Sequence, residues 1–167
     1  PFINCGNCFY CQKGLFELCP NRILLSNGSF AEYIKVSQSY AAAGLVKLPP
    51  DAKLEEAAMT EPLACVINAI EDCDICLGDN VLIVGAGPMG LLNVLVAQMK
   101  GAGQIVVSEP VAYRRAIAGQ LGALTVNPTE QDLAAVVQET TEGKGFDVLI
   151  IAVASTKVTE SVLNFAR

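Results

Sequence analysis

No histidine occurs anywhere in the 167 residues, so no Cys–His nucleophile pair can be assembled from this chain. Charge is scarce as well. Charged residues make up 17% of the sequence against 52% hydrophobic, which supplies enough apolar surface to offset chain entropy and excludes the disordered class. Positive charge is the scarcer sign, with 11 Lys and Arg facing 17 Asp and Glu for a net charge of −6. Such a chain repels a phosphate backbone and an anionic bilayer alike, so neither nucleic acid nor membrane is expected as a partner, and a small-molecule substrate is. The opening stretch Pro1-Phe2-Ile3-Asn4-Cys5 has neither a basic region nor a signal-type apolar run. Nothing there argues for secretion, and a cytoplasmic location is expected. Long apolar runs are absent too, apart from Val81 to Ala97. That run falls short of the roughly 20 residues a bilayer requires. Gly85, Gly87, Pro88 and Gly90 break it as a buried strand, turn and helix would.

What is present divides into two textures. Residues 1 to 22 are rich in Cys, Gly and Asn without periodicity, as in a loop folded around something other than a hydrophobic core. Ser29 to Val36 reads as a short strand after the turn signal Asn27-Gly28, and Tyr40 to Leu48 also looks strand-like, closed by Pro49-Pro50-Asp51. From Lys53 to about Asp72 apolar residues recur at helical spacing, with Pro62 restarting or kinking the helix. Gly78-Asp79-Asn80 is a turn. Beyond it the pattern alternates: strand Val81 to Val84, helix Met89 to Lys100, strand Gln104 to Ser108, helix Val111 to Leu121. A short strand at Leu124 to Val126, a helix from Thr129 to Thr140, the strand Val148 to Val153 and a helix opening near Ser155 continue it. This alternation predicts an α/β fold with a parallel sheet. A doubly wound dinucleotide fold has six strands and only four are visible, so the sequence is expected to be a piece of a longer one.

Cys5, Cys8, Cys11 and Cys19 stand with two, two and seven residues between them. Four thiolates this close can converge on one tetrahedral zinc, a closed structural site. Disulfides are disfavoured in a reducing compartment and between near neighbours. An iron–sulfur cluster is the stronger rival, since C-x2-C-x2-C also opens bacterial ferredoxin motifs and Pro20 follows Cys19 as a proline follows their last ligand. The final gap of seven rather than three, with no second cysteine set, favours zinc. Cys73 and Cys76 form a further C-x-x-C, readable as a redox dithiol but more simply as residues of a helix end and loop. Cys65 reads as a helix-packing residue.

Gly85-Ala86-Gly87-Pro88-Met89-Gly90 fits G-x-G-x-x-G directly after an apolar strand and at the start of a helix. There the first glycine takes the tight turn, the second lets backbone approach a pyrophosphate, and the third permits close helix–strand packing. The helix N-terminus at Met89 to Leu91 favours the anion. Glu109 lies at the end of the next strand, 19 residues after Gly90, where an acidic side chain accepts hydrogen bonds from the adenosine ribose hydroxyls. A carboxylate there repels a 2′-phosphate and favours NAD over NADP. Arg114 and Arg115, just beyond, could instead screen such a phosphate or form a solvated helix face. Gly85, Gly87, Pro88, Met89, Gly90, Glu109 and Arg114 are the expected cofactor-binding residues.

A cysteine lobe at these spacings, followed by Gly28-Ser29-Phe30-Ala31-Glu32-Tyr33, by Glu61-Pro62-Leu63 and by Val81 to Gly90, resembles the zinc-containing medium-chain dehydrogenases. Within them the likeness is to the sorbitol, threonine and butanediol dehydrogenase branch. The resemblance runs through nearly the whole chain and implies two domains. Residues 1–78 would be part of a GroES-like β catalytic domain, with the zinc lobe at about 1–22, and residues 79–167 part of a Rossmann NAD-binding domain. It implies that Cys5, Cys8, Cys11 and Cys19 bind the structural zinc and that Glu61 approaches a catalytic zinc; from the residues alone, Glu61 could equally cap its helix or lie at the surface. Dimers or tetramers are common in the family.

The expected activity is hydride transfer between an alcohol, polyol or amino alcohol such as threonine and NAD, in a parent protein with zinc. The family's catalytic cysteine and adjacent His-Glu pair precede the cysteine lobe, and this sequence has no histidine, so the chain alone is expected to be inactive. The alternatives are a non-catalytic zinc- and dinucleotide-binding module and an iron–sulfur oxidoreductase.

Overall fold

The computed structural model describes residues 2–25 and 30–167. The turn signal Asn27-Gly28 and the first residue of the strand expected from Ser29 lie outside the described residues. Two compact units divide the chain, Pro1–Ala52 and Lys53–Arg167.

In the smaller unit, a two-residue strand β1 (Phe2–Ile3) leads into a loop and the single-turn helix α1 (Phe9–Gln12). Strand β2 (Ile23–Leu24) returns antiparallel to β1, pairing Phe2 with Leu24 and Ile3 with Ile23. Helix α2 (Gln38–Gly44) completes the unit. Two expectations are corrected here. Residues 30–36 form no strand, because no neighbouring strand among the described residues of this unit offers them a ladder; Phe30 and Tyr33 stand exposed. Residues 38–44 are helical rather than extended, because Ser37 caps the segment, its Oγ accepting from the Tyr40 N–H at 3.2 Å, and Ala41-Ala42-Ala43 has the highest helix propensity available.

The larger unit begins with helices α3 (Leu54–Ala57) and α4 (Thr60–Asp72). Pro62 falls in the first turn of α4, where its missing N–H has no intrahelical partner to lose. The helix therefore restarts at Thr60 instead of running through from Lys53. Strand β3 (Asn80–Val84), helix α5 (Pro88–Lys100), strand β4 (Gln104–Ser108), helix α6 (Ala112–Gln120) and strand β5 (Leu124–Val126) then follow. Helix α7 (Leu133–Thr141) starts four residues later than its pattern suggested. Asn127 diverts the chain into a turn by accepting from the Thr129 N–H and hydroxyl, and Asp132 sets the helix start by accepting from the Ala134 N–H at 3.0 Å. Strand β6 (Val148–Ile151) stops two residues short of Val153, and α8 (Thr156–Val162) is capped by Ser155.

The four strands form a wholly parallel sheet in the order β5-β4-β3-β6. Alternate residues of the central strands feed two cores. Val81, Ile83, Ile105 and Val107 pack with Val66 and Ile70 of α4, Val94 and Ala97 of α5 and Ala118 of α6. Leu82, Val84, Val106 and Val126 pack on the opposite face with Val137 of α7, Phe146 and Val162 of α8. Helices on both faces explain why Val81 to Val84 is apolar throughout rather than alternating.

This order places a topological switch at β3. The chain goes from β3 outward to β4 and β5, then returns to the other side of β3 as β6. In open α/β sheets ligands bind in the crevice beyond the carboxyl ends of the strands at such a point.

Candidate functional site

The glycine turn leaves β3 at that switch point. Gly85 has φ 101°, a conformation that L side chains rarely adopt; a Cβ on it would also meet Val153 Cγ1 at 2.6 Å. Its N–H donates to the Ser108 carbonyl at 2.8 Å, tying the turn to the end of β4. A Cβ on Gly90 would collide with the Gly85 carbonyl oxygen, so the third glycine is required for α5 to start this close to β3. Gly87 differs from both. Its backbone is extended, with φ −71° and ψ 179°, and a Cβ there would meet nothing within 4 Å. The space beside Gly87 is open, as a backbone that admits a ligand must be.

Several main-chain donors border that space. The Ala86 N–H is taken by Glu109 Oε2 at 2.7 Å and the Leu91 N–H by the Gly87 carbonyl. The Gly87, Met89 and Gly90 N–H groups lie at the N-terminus of α5, where the helix dipole adds partial positive charge; Pro88 contributes none.

Glu109 is only 3% exposed, and both its oxygens are engaged, Oε2 by Ala86 and Oε1 by the Val111 N–H at 2.8 Å. The structure therefore brings Glu109 against the glycine turn itself. Arg115 is committed locally, its Nη1 donating to the carbonyls of Glu109 at 2.9 Å and Pro110 at 2.6 Å, whereas Arg114 is exposed.

A cavity of about 860 Å³ opens beside the turn, lined by Gly85, Ser108, Pro110, Asp132, Val153 and Lys157 among others. Val153, Ser155 and Lys157 were not anticipated as site residues. They follow β6 in sequence, and their signal was topological: loops at the carboxyl ends of strands flanking a switch point converge.

The four cysteines converge in the smaller unit. Gly6, with φ 75°, turns the chain between Cys5 and Cys8. Sγ separations are 3.9 Å for Cys5–Cys11, 3.5 Å for Cys8–Cys11, 3.9 Å for Cys8–Cys19 and 3.7 Å for Cys5–Cys19. A tetrahedron of sulfurs each about 2.3 Å from one ion has edges of about 3.8 Å. The donor set thus fits a single tetrahedral metal ion. The Asn7 and Cys8 N–H groups lower the Cys5 thiol to about 6, while burial pushes Cys11 up to about 12. Among the described residues this is the only group of three or more potential ligands that converge.

Glu61 is exposed on the first turn of α4 in the larger unit. Its Oε1 is 3.5 Å from the Cys65 Sγ, and this carboxylate raises the thiol. Cys65 is exposed, not packed into the core as its helical position suggested. Cys73 lies at the C-terminal end of α4 and Cys76 in the loop beyond it, the places expected of them.

The family described as zinc-binding dehydrogenase matches residues 88–167. The chain is 36% identical to L-threonine 3-dehydrogenase of Pyrococcus furiosus over 166 residues, covering 97% of this chain and 46% of that protein. The chain belongs to the zinc-containing medium-chain alcohol dehydrogenase superfamily. Sorbitol dehydrogenase of Bacillus subtilis is 31% identical over 172 residues, 100% of this chain and 48% of its own length. A Sinorhizobium meliloti 1021 structure assigned as a zinc-binding dehydrogenase and bound to NADP superposes with a TM-score of 0.84 at 31% identity, covering 100% of this chain and 49% of that one. This member of the superfamily thus spans about half the length of the curated relatives it matches. Among its described residues no helix is long and apolar enough to cross a membrane.

Proposed function

We propose that this chain is the zinc-lobe and dinucleotide-binding part of an enzyme that transfers hydride between an alcohol, polyol or amino alcohol and NAD. The observation that carries this reading is the glycine turn. Gly85 and Gly90 are required by the fold, but a Cβ on Gly87 would meet nothing within 4 Å in the ligand-free protein, so its smallness serves a ligand. The free N–H groups of Gly87, Met89 and Gly90 suit a pyrophosphate.

Glu109 makes NAD the preferred dinucleotide. A buried carboxylate at the end of β4 accepts ribose hydroxyls through lone pairs that Ala86 and Val111 leave unused, and it repels a 2′-phosphate. Arg115 is occupied by backbone carbonyls, so Arg114 is the remaining cation of the pair to face the adenosine end.

Cys5, Cys8, Cys11 and Cys19 hold one zinc with no open coordination position, which makes that metal structural. Sγ separations of 3.5–3.9 Å suit one ion, whereas a cluster of several irons and sulfides would spread its thiolates more widely. Glu61, exposed on α4, is the residue of this chain that would help to hold the catalytic metal of the whole enzyme. Such a metal would supply Lewis-acid polarisation of the substrate hydroxyl, and a bound NAD would supply the hydride acceptor. The protein works in the cytoplasm on a small-molecule substrate, as a dimer or tetramer.

Calorimetric titration with NAD and NADP, together with metal analysis, tests this reading. One zinc per chain and tighter binding of NAD are expected. Iron with visible absorbance, or no binding of either dinucleotide, would overturn it.

A further inference from the structure

The Glu109 carboxylate is built into the ligand-free turn rather than held out to solvent. It is 3% exposed, and its two oxygens reach to different segments: Oε2 to the Ala86 N–H inside the glycine turn at 2.7 Å, Oε1 to the Val111 N–H at the cap of α6 at 2.8 Å. Ala86 is itself buried, at 1% exposure. Its N–H therefore has no route to water, and a buried donor without a partner is costly. Three further bonds brace the same corner: Gly85 N–H to the Ser108 carbonyl, and Arg115 Nη1 to the carbonyls of Glu109 and Pro110.

We propose that Glu109 is a positioning residue for the glycine turn, cross-linking the β3–α5 loop to the β4–α6 loop and fixing the turn before any dinucleotide arrives. This rests on the dinucleotide reading and adds a role that operates without the ligand. A side chain that served only the ribose would be free to move in the empty site; this one takes up a buried N–H for which the turn has no backbone acceptor. Holding Ala86 inward leaves the N–H groups of Gly87, half-buried, and Met89, exposed, as the outward donors. It also fixes the orientation of the carboxylate, so neither loop has to be ordered at the moment of binding.

The test is residue-resolved amide hydrogen exchange on the ligand-free protein, comparing wild type with Glu109→Ala and Glu109→Gln. Loss of a hydrogen bond to a charged acceptor is expected to lower protection of the Ala86 and Val111 amides by at least about tenfold in Glu109→Ala. Glu109→Gln, which keeps one acceptor oxygen, should lose protection at only one of the two. Amides of β5 and α7 act as internal controls for the fold. Should Glu109→Ala fail to fold, Glu109→Gln alone decides the matter. Unchanged protection at both amides, with dinucleotide affinity lost, would confine Glu109 to the ribose and overturn the proposal. Wild-type protein that binds neither NAD nor NADP would overturn the dinucleotide reading while leaving the exchange result to stand by itself.

Discussion

The Gly90 Cα faces the Gly85 carbonyl oxygen so closely that a methyl group on Gly90 has no place to go. An added Cβ would clash with backbone across the start of α5, and neither group can rotate away. Gly90→Ala should therefore destabilise the larger unit by about 1–3 kcal/mol, the range for overpacking a filled interior. Thermal denaturation followed by circular dichroism checks this; an unchanged melting temperature would mean that α5 shifts outward at little cost.

Gly87→Ala makes the complementary case. The backbone there is already in a conformation any residue adopts, and the added methyl meets nothing within 4 Å. Stability should be unchanged or slightly raised, because the unfolded chain loses freedom. NAD affinity should fall at least about tenfold, since the methyl occupies the space that the ligand is to enter. Titration of both proteins separates the two effects. A variant that binds NAD as wild type does would show that the second glycine serves no ligand.

Metal removal should act on one unit only. Cys11, Cys19 and Tyr40 are the buried residues among those described in Pro1–Ala52, too few to hold that unit by hydrophobic burial, so metal ligation must supply what a core does not. A strong chelator should unfold the cysteine lobe while the sheet of the larger unit persists. Cys8→Ser should do the same without chelator. Each thiol must shed its proton to bind, so affinity falls as pH falls, and zinc retained at pH 7 should be released as the solution is acidified. Far-ultraviolet circular dichroism with elemental analysis across pH gives the readout. A lobe that keeps its amide protection after the metal is gone would contradict this account.

The larger unit was legible in the sequence because its signals are local and mutually consistent. Val81 to Val84, the glycines at 85, 87 and 90, and the Gly101 helix stop, with φ 95°, each specify their element without long-range help. The cysteine spacing likewise carried its own geometry. Residues 30–36 misled, because Phe30, Tyr33, Ile34 and Val36 have strand propensity but strand formation depends on a partner. Residues 38–44 misled for the opposite reason: a Ser cap and three alanines outweighed the apolar look of the stretch. Glu109 directly follows β4, where its sequence position puts it, but its pairing with Ala86, 23 residues away, has no sequence signal at all. Val153 and Lys157 became visible only once strand order placed β6 beside β3.

Asn93 presents a buried defect. It is 6% exposed in the middle of α5; its Nδ2 donates to the Met89 carbonyl at 2.8 Å, but its Oδ1 has no partner. A buried acceptor left unpaired costs about 1–3 kcal/mol. Asn93→Leu removes it with the same number of side-chain heavy atoms, and the Met89 carbonyl keeps the helical N–H of residue 93 as its donor. The substitution should raise stability by about 1 kcal/mol, seen as a higher melting temperature. A lower one would mean that the bulk of leucine costs more than the unpaired oxygen.

Thr141 closes α7 and seats the loop that follows. Its hydroxyl donates to the Val137 carbonyl at 2.7 Å and accepts from the Gly145 N–H at 3.0 Å, in a position 5% exposed. The chain between runs through left-handed residues Glu142 and Gly143 and continues through Gly145, also left-handed, into Phe146, which is fully buried. The Thr141 oxygen, with the bond from the Phe146 N–H to the Phe165 carbonyl at 2.7 Å, thus helps to fix the approach of the largest fully buried side chain of this core. Thr141→Val keeps shape and volume but leaves the Gly145 N–H without an acceptor, which should cost about 1–3 kcal/mol. Thr141→Ser keeps the oxygen and gives up one methyl, about 0.8 kcal/mol. Denaturant unfolding should rank wild type above Thr141→Ser and Thr141→Val lowest. The reverse order for the two variants would place the value of this residue in its methyl group and not in the bond to Gly145.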